Sequence, residues 1–372
     1  MNILILTSHF KPNIGGVETH LSDLASTLTK RSWRVTVLTY KPLTTEIHSK
    51  FYEKEQLLTI IRIPWFKGLF YKLVSYPLIE FMYLLPGLFF VTPIVIILDK
   101  PDVIHANGLV AGFVGVFWGK ILRKKVIIST HSIYNFPKQG LYKSFVSSIF
   151  KNAEYCLGLS RQAVNEIKSL GIDKSKVKNF TYWVDLQKFK KVNQAKNKLG
   201  WKDTFTILFV GRLVSEKGVL VLLKSAKNWD KNINLKIIGS GPLEDRIKED
   251  LLKLPNVSFI KGIDSENLPI YYSAADLLIV PSLSEEGFGR VILESLACGT
   301  PVVGARRGAI PEALDESVGK LIDISPENIA ATVEYFYKHK DELEKFAKNC
   351  RKFAERKYSE KNADVIIKTY KS

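Results

Sequence analysis

The sequence predicts an α/β chain of two Rossmann-like lobes whose parallel sheets face a central cleft. Three observations carry this. Short apolar strands alternate with amphipathic helices from the first residues onward. The alternation restarts near residue 205. The chain has 372 residues, about twice the usual length of one domain.

The elements justify this in order. Residues 2–7 are an apolar run, followed by a loop, 8–16, with Pro12 and the pair Gly15-Gly16. Val17 to Lys30 places Val17, Leu21, Leu24, Ala25 and Leu28 at helical spacing. Strands are predicted at 34–40, 102–106 and 126–130, with an uncharged, small-residue helix over 109–122. In the second half, strands are predicted at 205–210, 235–238, 257–260, 276–280 and 301–304, with helices over 218–227 and 243–254. Strands separated by helices imply a parallel sheet covered on both faces. Val184 to Thr204, rich in Lys, Asn and Gln, reads as the hinge. In such sheets ligands bind at the carboxyl ends of the strands.

Composition narrows the class. A hydrophobic content of 46% supports full cores and excludes a disordered chain. Cys156, Cys298 and Cys350 are far apart and odd in number, which excludes a disulfide framework and points to a reducing cytoplasm. MNILILTS runs into Lys11-Pro12 and reads as a buried strand, not as a leader. The charge of +17 is uneven: residues 1–190 carry 25 Lys and Arg against 12 Asp and Glu, residues 191–372 carry 29 against 25. The first half therefore faces something anionic, a nucleic acid or a membrane surface. No basic block with interleaved aromatics and no zinc-finger spacing is present, which favours the membrane.

Phe81 to Leu98 is a charge-free run of 18 residues, long enough for a span. Pro86-Gly87 and Pro93 interrupt it, and strands of one sheet flank it on both sides, so a pair of buried or interfacial helices is expected. Upstream, Trp65, Phe66, Phe70, Tyr71 and Tyr76 mix with Lys67 and Lys72. That mixture suits either a helix lying in the headgroup layer or a core helix with snorkelling lysines. Residues 62–98 are thus the expected membrane contact.

The densest chemistry lies in SLSEEGFGRVILESLACGTPVVG. Gly287 and Gly289 let the backbone approach a ligand closely. Arg290 to Ala297 reads as a helix ending at Gly299 and Pro301, with free N–H groups at its start to seat a phosphate. Glu286 lies in the loop before it and Glu294 inside it. The same pattern also fits an ordinary strand–loop–helix with solvated glutamates. After strand 205–210, Arg212 and Lys217 stand five apart before a helix, where two cations can hold a pyrophosphate or simply face solvent. Gly15-Gly16 opens a helix in the same way, without a dinucleotide fingerprint.

Together these pieces resemble the retaining glycosyltransferases of family four, glycosyl transferases group 1, of the two-lobed GT-B type. GGVETH matches the family's glycine loop, DVIHANG and ISTHS its histidine-bearing strand ends, and FVGRL with EKG its phosphate grip. IIGSGPLEDRI matches the next strand and turn, and YYSAADLLIVPS leads into the spacing Glu286-x7-Glu294, the most specific motif. The resemblance implies an acceptor lobe over residues 1–185, a nucleotide-sugar lobe over 186–357, and a tail, 358–372, crossing back onto the first.

It also implies roles. Arg212 and Lys217 neutralise the donor diphosphate, Glu294 accepts the ribose hydroxyls and Glu286 holds hydroxyls of the donor sugar. Backbone N–H groups around Phe288 and Gly289, with Gly15-Gly16, complete the seat, and His131 contacts the donor sugar; His131 alone also reads as a satisfied strand-end histidine. His105 and Asn107 are weaker, structural candidates. No Asp-x-Asp occurs, so no metal or other cofactor is expected, and the two cations with a helix dipole take a metal's place. The expected activity is metal-independent hexosyl transfer from a nucleotide sugar to a lipid-linked or cell-surface glycan acceptor, with retention, by a cytoplasmic protein peripheral on the membrane. The departures, Tyr182-Trp183 before Val184-Asp185, the run Arg307-Gly308-Ala309 before Ile310-Pro311-Glu312, and His105-Ala106-Asn107, bear on the acceptor and the fine donor contacts. Two other classes fit the same residues: a sugar-nucleotide epimerase, and a non-catalytic protein binding membrane or nucleic acid through the basic half.

Overall fold

The computed structural model describes residues 1–43, 47–66, 73 and 77–372. The chain divides into two compact units, Met1–Thr181 with Asn362–Ser372, and Tyr182–Lys361.

The first unit carries strands β1 (Asn2–Thr7), β2 (Arg34–Tyr40), β3 (Tyr52–Glu55), β4 (Leu58–Ile63), β5 (Val103–Asn107), β6 (Lys125–Thr130), β7 (Tyr155–Gly158) and β8 (Val177–Asn179). They form one sheet in the order β3-β4-β2-β1-β5-β6-β7-β8. All pairings are parallel except β3 on β4. The apolar runs of β1 and β5 are buried on both faces, as crossover helices require. Those helices are α1 (Gly16–Lys30), α2 (Pro77–Asp99), α3 (Leu109–Ile121), α4 (Leu141–Lys151) and α5 (Arg161–Ser169). The antiparallel β3, sequence YEKE, is mostly exposed and charged, which protects the sheet edge.

The second unit holds β9 (Phe205–Val210), β10 (Ile233–Gly239), β11 (Val257–Lys261), β12 (Leu277–Val280), β13 (Val302–Ala305) and β14 (Gly319–Ile322). Their order, β11-β10-β9-β12-β13-β14, is all parallel. Its helices are α6 (Ala195–Lys198), α7 (Val219–Ala226), α8 (Glu244–Leu251), α9 (Leu268–Ala274), α10 (Arg290–Ala297), α11 (Ile310–Ala313), α12 (Pro326–Lys338) and α13 (Lys340–Lys357). The last helix, α14 (Ala363–Lys371), belongs to the first unit. There Tyr370 Oη meets His105 Nδ1 at 2.6 Å and Asp364 pairs with Arg31 at 2.8 Å.

Two expectations change. The segment read as a hinge, 184–204, lies wholly in the second unit. Arg351 holds it there, donating to the carbonyls of Phe189 at 2.7 Å and Leu186 at 3.0 Å, while Phe189 and Ala195 are buried. Its polar composition reflects an exposed surface, not freedom of the backbone.

The run 81–98 is not a helix pair but part of one helix, α2, continuous through Pro86 and Pro93. Each proline leaves a carbonyl without its usual partner. Side chains repair the ladder. Trp118 Nε1 donates to the carbonyl of Phe89, four residues before Pro93, at 2.8 Å. The Tyr40 hydroxyl enters the ladder near Pro86, donating to the Leu84 carbonyl and accepting from Leu88 N at 2.9 Å. Gly87 leaves space for it, since a Cβ there would stand 2.5 Å from Tyr40 Cε1. The predicted contact residues 67–72 and 74–76, which include Phe70, Tyr71 and Tyr76, lie outside the described residues.

Candidate functional site

In the second unit the strand order reverses direction between β9 and β12, and a parallel sheet opens a ligand crevice at such a point. The loops leaving these two strands carry the predicted residues. The loop after β9 holds Arg212 and Lys217 and ends at Gly218, whose φ of +71° suits glycine. A Cβ on Gly218 would stand 1.8 Å from the Pro281 carbonyl oxygen, so only glycine lets this loop lie against the one after β12. Leu283 N donates to the Glu216 carbonyl at 2.8 Å and ties the two together.

Three of the predicted side chains therefore meet. Lys217 Nζ donates to Glu286 Oε1, and Ser282 Oγ donates to the same oxygen at 2.7 Å. Arg212, exposed on the same loop as Lys217, acts on Glu286 through its charge. Burial alone raises the Glu286 carboxyl, but Lys217, Ser282 and Arg212 outweigh it and hold it below the usual carboxylate range. Glu286 is thus an ionised, nearly covered carboxylate in a cationic setting. Its backbone is fixed as well: Ala309 N donates to the Glu286 carbonyl at 2.9 Å. A Cβ at Gly308, where φ is +56°, would stand 2.6 Å from Glu286 N. The run 307–309, a departure from the family pattern, is therefore the strut behind the first glutamate.

Glu294 is placed differently. It is 5% exposed on the inward side of α10. Its Oε1 accepts from Arg290 Nε at 3.1 Å and its Oε2 from the Tyr272 hydroxyl at 2.8 Å. Arg290 Nη1 also donates to the Trp183 carbonyl at 3.3 Å. A ribose would have to share this carboxylate with a buried arginine and tyrosine through its remaining lone pairs. Gly289, with φ of +73°, flanks the start of α10, and the Phe288 ring is buried between Tyr182 and Tyr358. What Phe288 can offer a ligand is its backbone.

In the first unit the reversal falls between β1 and β5. Gly15 and Gly16 stand at the start of α1. The Glu18 carboxylate folds against Gly15, where a Cβ would stand 2.2 Å from Glu18 Oε2. A phosphate approaching this helix start meets a carboxylate first. At the ends of β5 and β6, Asn107 Nδ2 donates to the His105 carbonyl at 3.1 Å, which turns Asn107 Oδ1 toward His131. That oxygen accepts from Ser129 Oγ at 2.6 Å and lies 3.0 Å from His131 Nε2. The proton of His131 therefore sits on Nε2 and the lone pair on Nδ1. Burial, with the His105 charge, lowers the His131 pKa to about 3, so the ring is neutral at ordinary pH. His105 is given over to its bond with Tyr370.

Sequence reasoning passed over Ser282, Tyr272 and Arg290 as partners. The Arg290–Glu294 spacing of four on a helix was a readable signal for an ion pair. Ser282 and Tyr272 had none, because their roles come from contacts between loops and helices distant in sequence.

Two family models match the chain: Glycosyltransferase Family 4 over residues 14–188 and Glycosyl transferases group 1 over residues 191–353. An uncharacterised glycosyltransferase of Methanocaldococcus jannaschii is 27% identical, the match covering 100% of this chain and 98% of that relative. A GDP-mannose-dependent α-(1-6)-phosphatidylinositol monomannoside mannosyltransferase of Mycolicibacterium smegmatis is 33% identical over 34% of this chain and 37% of its own. Among solved structures, sucrose-phosphate synthase of Thermosynechococcus elongatus superposes with a TM-score of 0.84 at 22% identity, covering 100% of this chain and 98% of the other. The Anabaena HepE protein in complex with UDP and glucose gives 0.79 at 20% identity, covering 100% and 99%. The order of strands, the loops that gather Arg212, Lys217 and Glu286, and these matches along both halves have one reading: the chain belongs to the family-four, group 1 glycosyltransferases and has the GT-B fold.

Proposed function

We propose that this glycosyltransferase moves a hexose-type sugar from a nucleotide-sugar donor to a lipid-linked or cell-surface glycan acceptor, keeping the anomeric configuration and using no metal. The observation that carries the reading is the convergence of Lys217, Arg212 and Ser282 on Glu286 at the switch point of the second sheet. The relatives support the substrate classes. One acts from GDP-mannose on a phosphatidylinositol mannoside, another serves capsular polysaccharide biosynthesis in Staphylococcus aureus, and HepE has been seen with UDP-glucose.

In this reading Arg212 and Lys217 hold the diphosphate and receive the charge that builds on the leaving oxygen. Glu286, kept ionised, accepts hydrogen bonds from hydroxyls of the donor sugar. Glu294 accepts the ribose hydroxyls beside Tyr272 and Arg290. Backbone N–H groups at Phe288 and Gly289 complete the phosphate seat; the Glu18 carboxylate folded against Gly15 weighs against the same role for Gly15 and Gly16. The neutral His131 contacts the donor sugar. The bond from the anomeric carbon to the diphosphate oxygen breaks, and its electron pair stays on that oxygen. The acceptor hydroxyl attacks from the same face and passes its proton to the departing oxygen. In this reading Glu286 serves binding, not the nucleophilic attack that one of the paired carboxylates makes in retaining glycosidases. The protein, in the same reading, acts in the cytoplasm, peripheral on the membrane.

The test is release of nucleoside diphosphate from a panel of nucleotide sugars in EDTA, with the anomeric configuration of the product read by NMR. Turnover with retained configuration is expected. Activity abolished by EDTA and restored by a divalent cation overturns the metal-free step, and an inverted product overturns retention.

A further inference from the structure

The first unit exposes far more apolar surface than a sheet-and-helix layer needs, and it does so on one connected face. On α2, Leu78 is 63%, Met82 65%, Phe90 69%, Ile94 55% and Leu98 74% exposed. On α3 and α4, Phe117, Ile121, Phe145 and Leu141 continue it, Leu141 at 91%. Ring contacts prove the continuity. Phe89 lies 5.0 Å from Phe117 and 5.6 Å from Phe90, and Phe113 lies 5.7 Å from Phe145. An apolar patch spread over three helices marks a docking site.

Charge names the occupant. From Pro77 to Lys151, the start of α2 to the end of α4, the sequence carries eight Lys and Arg against three carboxylates, Glu80, Asp99 and Asp102. Asp99, half-buried, accepts from Thr36 Oγ1, and Asp102, exposed, accepts from Asn2 N. Lys120 and Arg123 follow the exposed end of α3, and Lys138 and Lys143 flank Leu141. An apolar face bordered by cations matches the acyl boundary and the headgroups of an anionic bilayer.

The mode of contact follows from the helix's other side. By length and composition α2 is able to cross a membrane. Yet Leu84, Leu88, Thr92 and Ile96 are buried in the unit, and Tyr40, Trp65 and Trp118 hold its carbonyls. Inserting α2 as a span would break all of these, so it lies in the plane.

Deepening the peripheral placement proposed above, we infer that α2, α3 and α4 together form an in-plane seat for an anionic lipid surface. The apolar side chains enter the acyl boundary, and Lys120, Arg123, Lys138 and Lys143 sit at phosphate level. Most of this seat lies outside the aromatic–lysine segment that the sequence singles out.

The test is sedimentation of the full chain with vesicles of phosphatidylcholine, alone or with about 30% phosphatidylglycerol. The wild-type protein is expected to sediment with the anionic vesicles, less so as salt rises. Lys120→Glu with Arg123→Glu lowers the partition at least about 30-fold. Phe90→Gln with Ile94→Gln lowers it on the order of 10-fold. Donor hydrolysis stays unchanged in both variants. A protein that turns over donor but leaves both vesicles in the same measure as its variants overturns the inference. So does a dimer, seen by analytical ultracentrifugation, that Phe90→Gln with Ile94→Gln dissolves, for it assigns the face to a second copy. Vesicle binding without any donor turnover leaves the seat standing and removes the functional reading instead.

Discussion

Replacing Lys217 by alanine separates the two jobs of its ammonium group. Lys217 neutralises Glu286, whose side chain is 12% exposed while that of Lys217 is 27% exposed. Breaking a fully buried pair costs about 3–5 kcal/mol. Screening at a lysine this accessible reduces that to about 1–2 kcal/mol, a fall in Tm of roughly 3–6 °C for a unit of this size. In the proposed function, Lys217 faces the diphosphate once a donor is bound. Two unit charges 4 Å apart attract by about 4 kcal/mol at an effective dielectric of 20. Losing one charge-stabilising group typically lowers kcat by roughly 100- to 1,000-fold. Lys217→Ala is therefore expected to lose about 100- to 1,000-fold in kcat/KM, measured as nucleoside diphosphate release, and a few degrees in Tm. Adding Glu286→Gln removes the stranded carboxylate, so the Tm returns while kcat/KM stays low. If Lys217→Ala keeps kcat/KM within about threefold of wild type, or if the double variant regains activity along with stability, the lysine is a strut for Glu286 and the phosphate role is wrong.

Four further outcomes follow from the same structure. Asn107→Asp puts a carboxylate 3.0 Å from His131 Nε2, among the neighbouring rings of His20 and His105, and raises the depressed His131 pKa toward neutrality; the pH–rate profile should gain an ionisation between pH 5 and 8, which a merely structural asparagine would not produce. Glu80 is pushed up to about 7 by burial, so the folded state holds its proton more tightly than the unfolded chain does. Its stability contribution is present at low pH and is lost as pH rises from about 4.5 to 7, about 3 kcal/mol in all; Glu80→Gln should remove that decline in urea titrations. Gly308→Ala places a Cβ 2.6 Å from Glu286 N at a positive φ; a loss on the order of 10-fold or more in donor affinity is expected by calorimetry, at a cost of about 1–3 kcal/mol in stability. Trp118→Phe leaves the Phe89 carbonyl without its donor; a loss of about 1–3 kcal/mol is expected by chemical denaturation.

Much of this was legible in the amino-acid order. The strands at 2–7, 34–40 and 205–210 are short apolar runs bounded by turn residues, and they fold where the pattern puts them. Helix α10 spans the predicted Arg290–Ala297, because Gly289 opens it and Gly299, at a φ of +87°, closes it. What the pattern hides are contacts made at a distance. Pro86 and Pro93 read as breaks, and only Tyr40 and Trp118, from other elements, show why α2 continues through them. The 184–204 segment looks free because its lysines and asparagines face solvent, while Arg351 pins its carbonyls from beneath. The charged β3 has too little apolar alternation to announce a strand; it exists because β4 offers it an edge. At the site, Arg212, Lys217 and Glu286 were found from motif spacing. Ser282, Gly308 and the Tyr272–Glu294–Arg290 set emerge only once the loops are folded against each other.

In the proposed function the loops after β9 and β12 assemble a phosphate grip, and calorimetric titration of UDP and GDP into the protein in EDTA tests it without needing an acceptor. Saturable binding of at least one of them in EDTA is expected, weakened at least about 30-fold in an Arg212→Ala, Lys217→Ala variant that remains folded. Equal affinity in that variant, or no binding of either nucleotide by the wild-type chain, contradicts it.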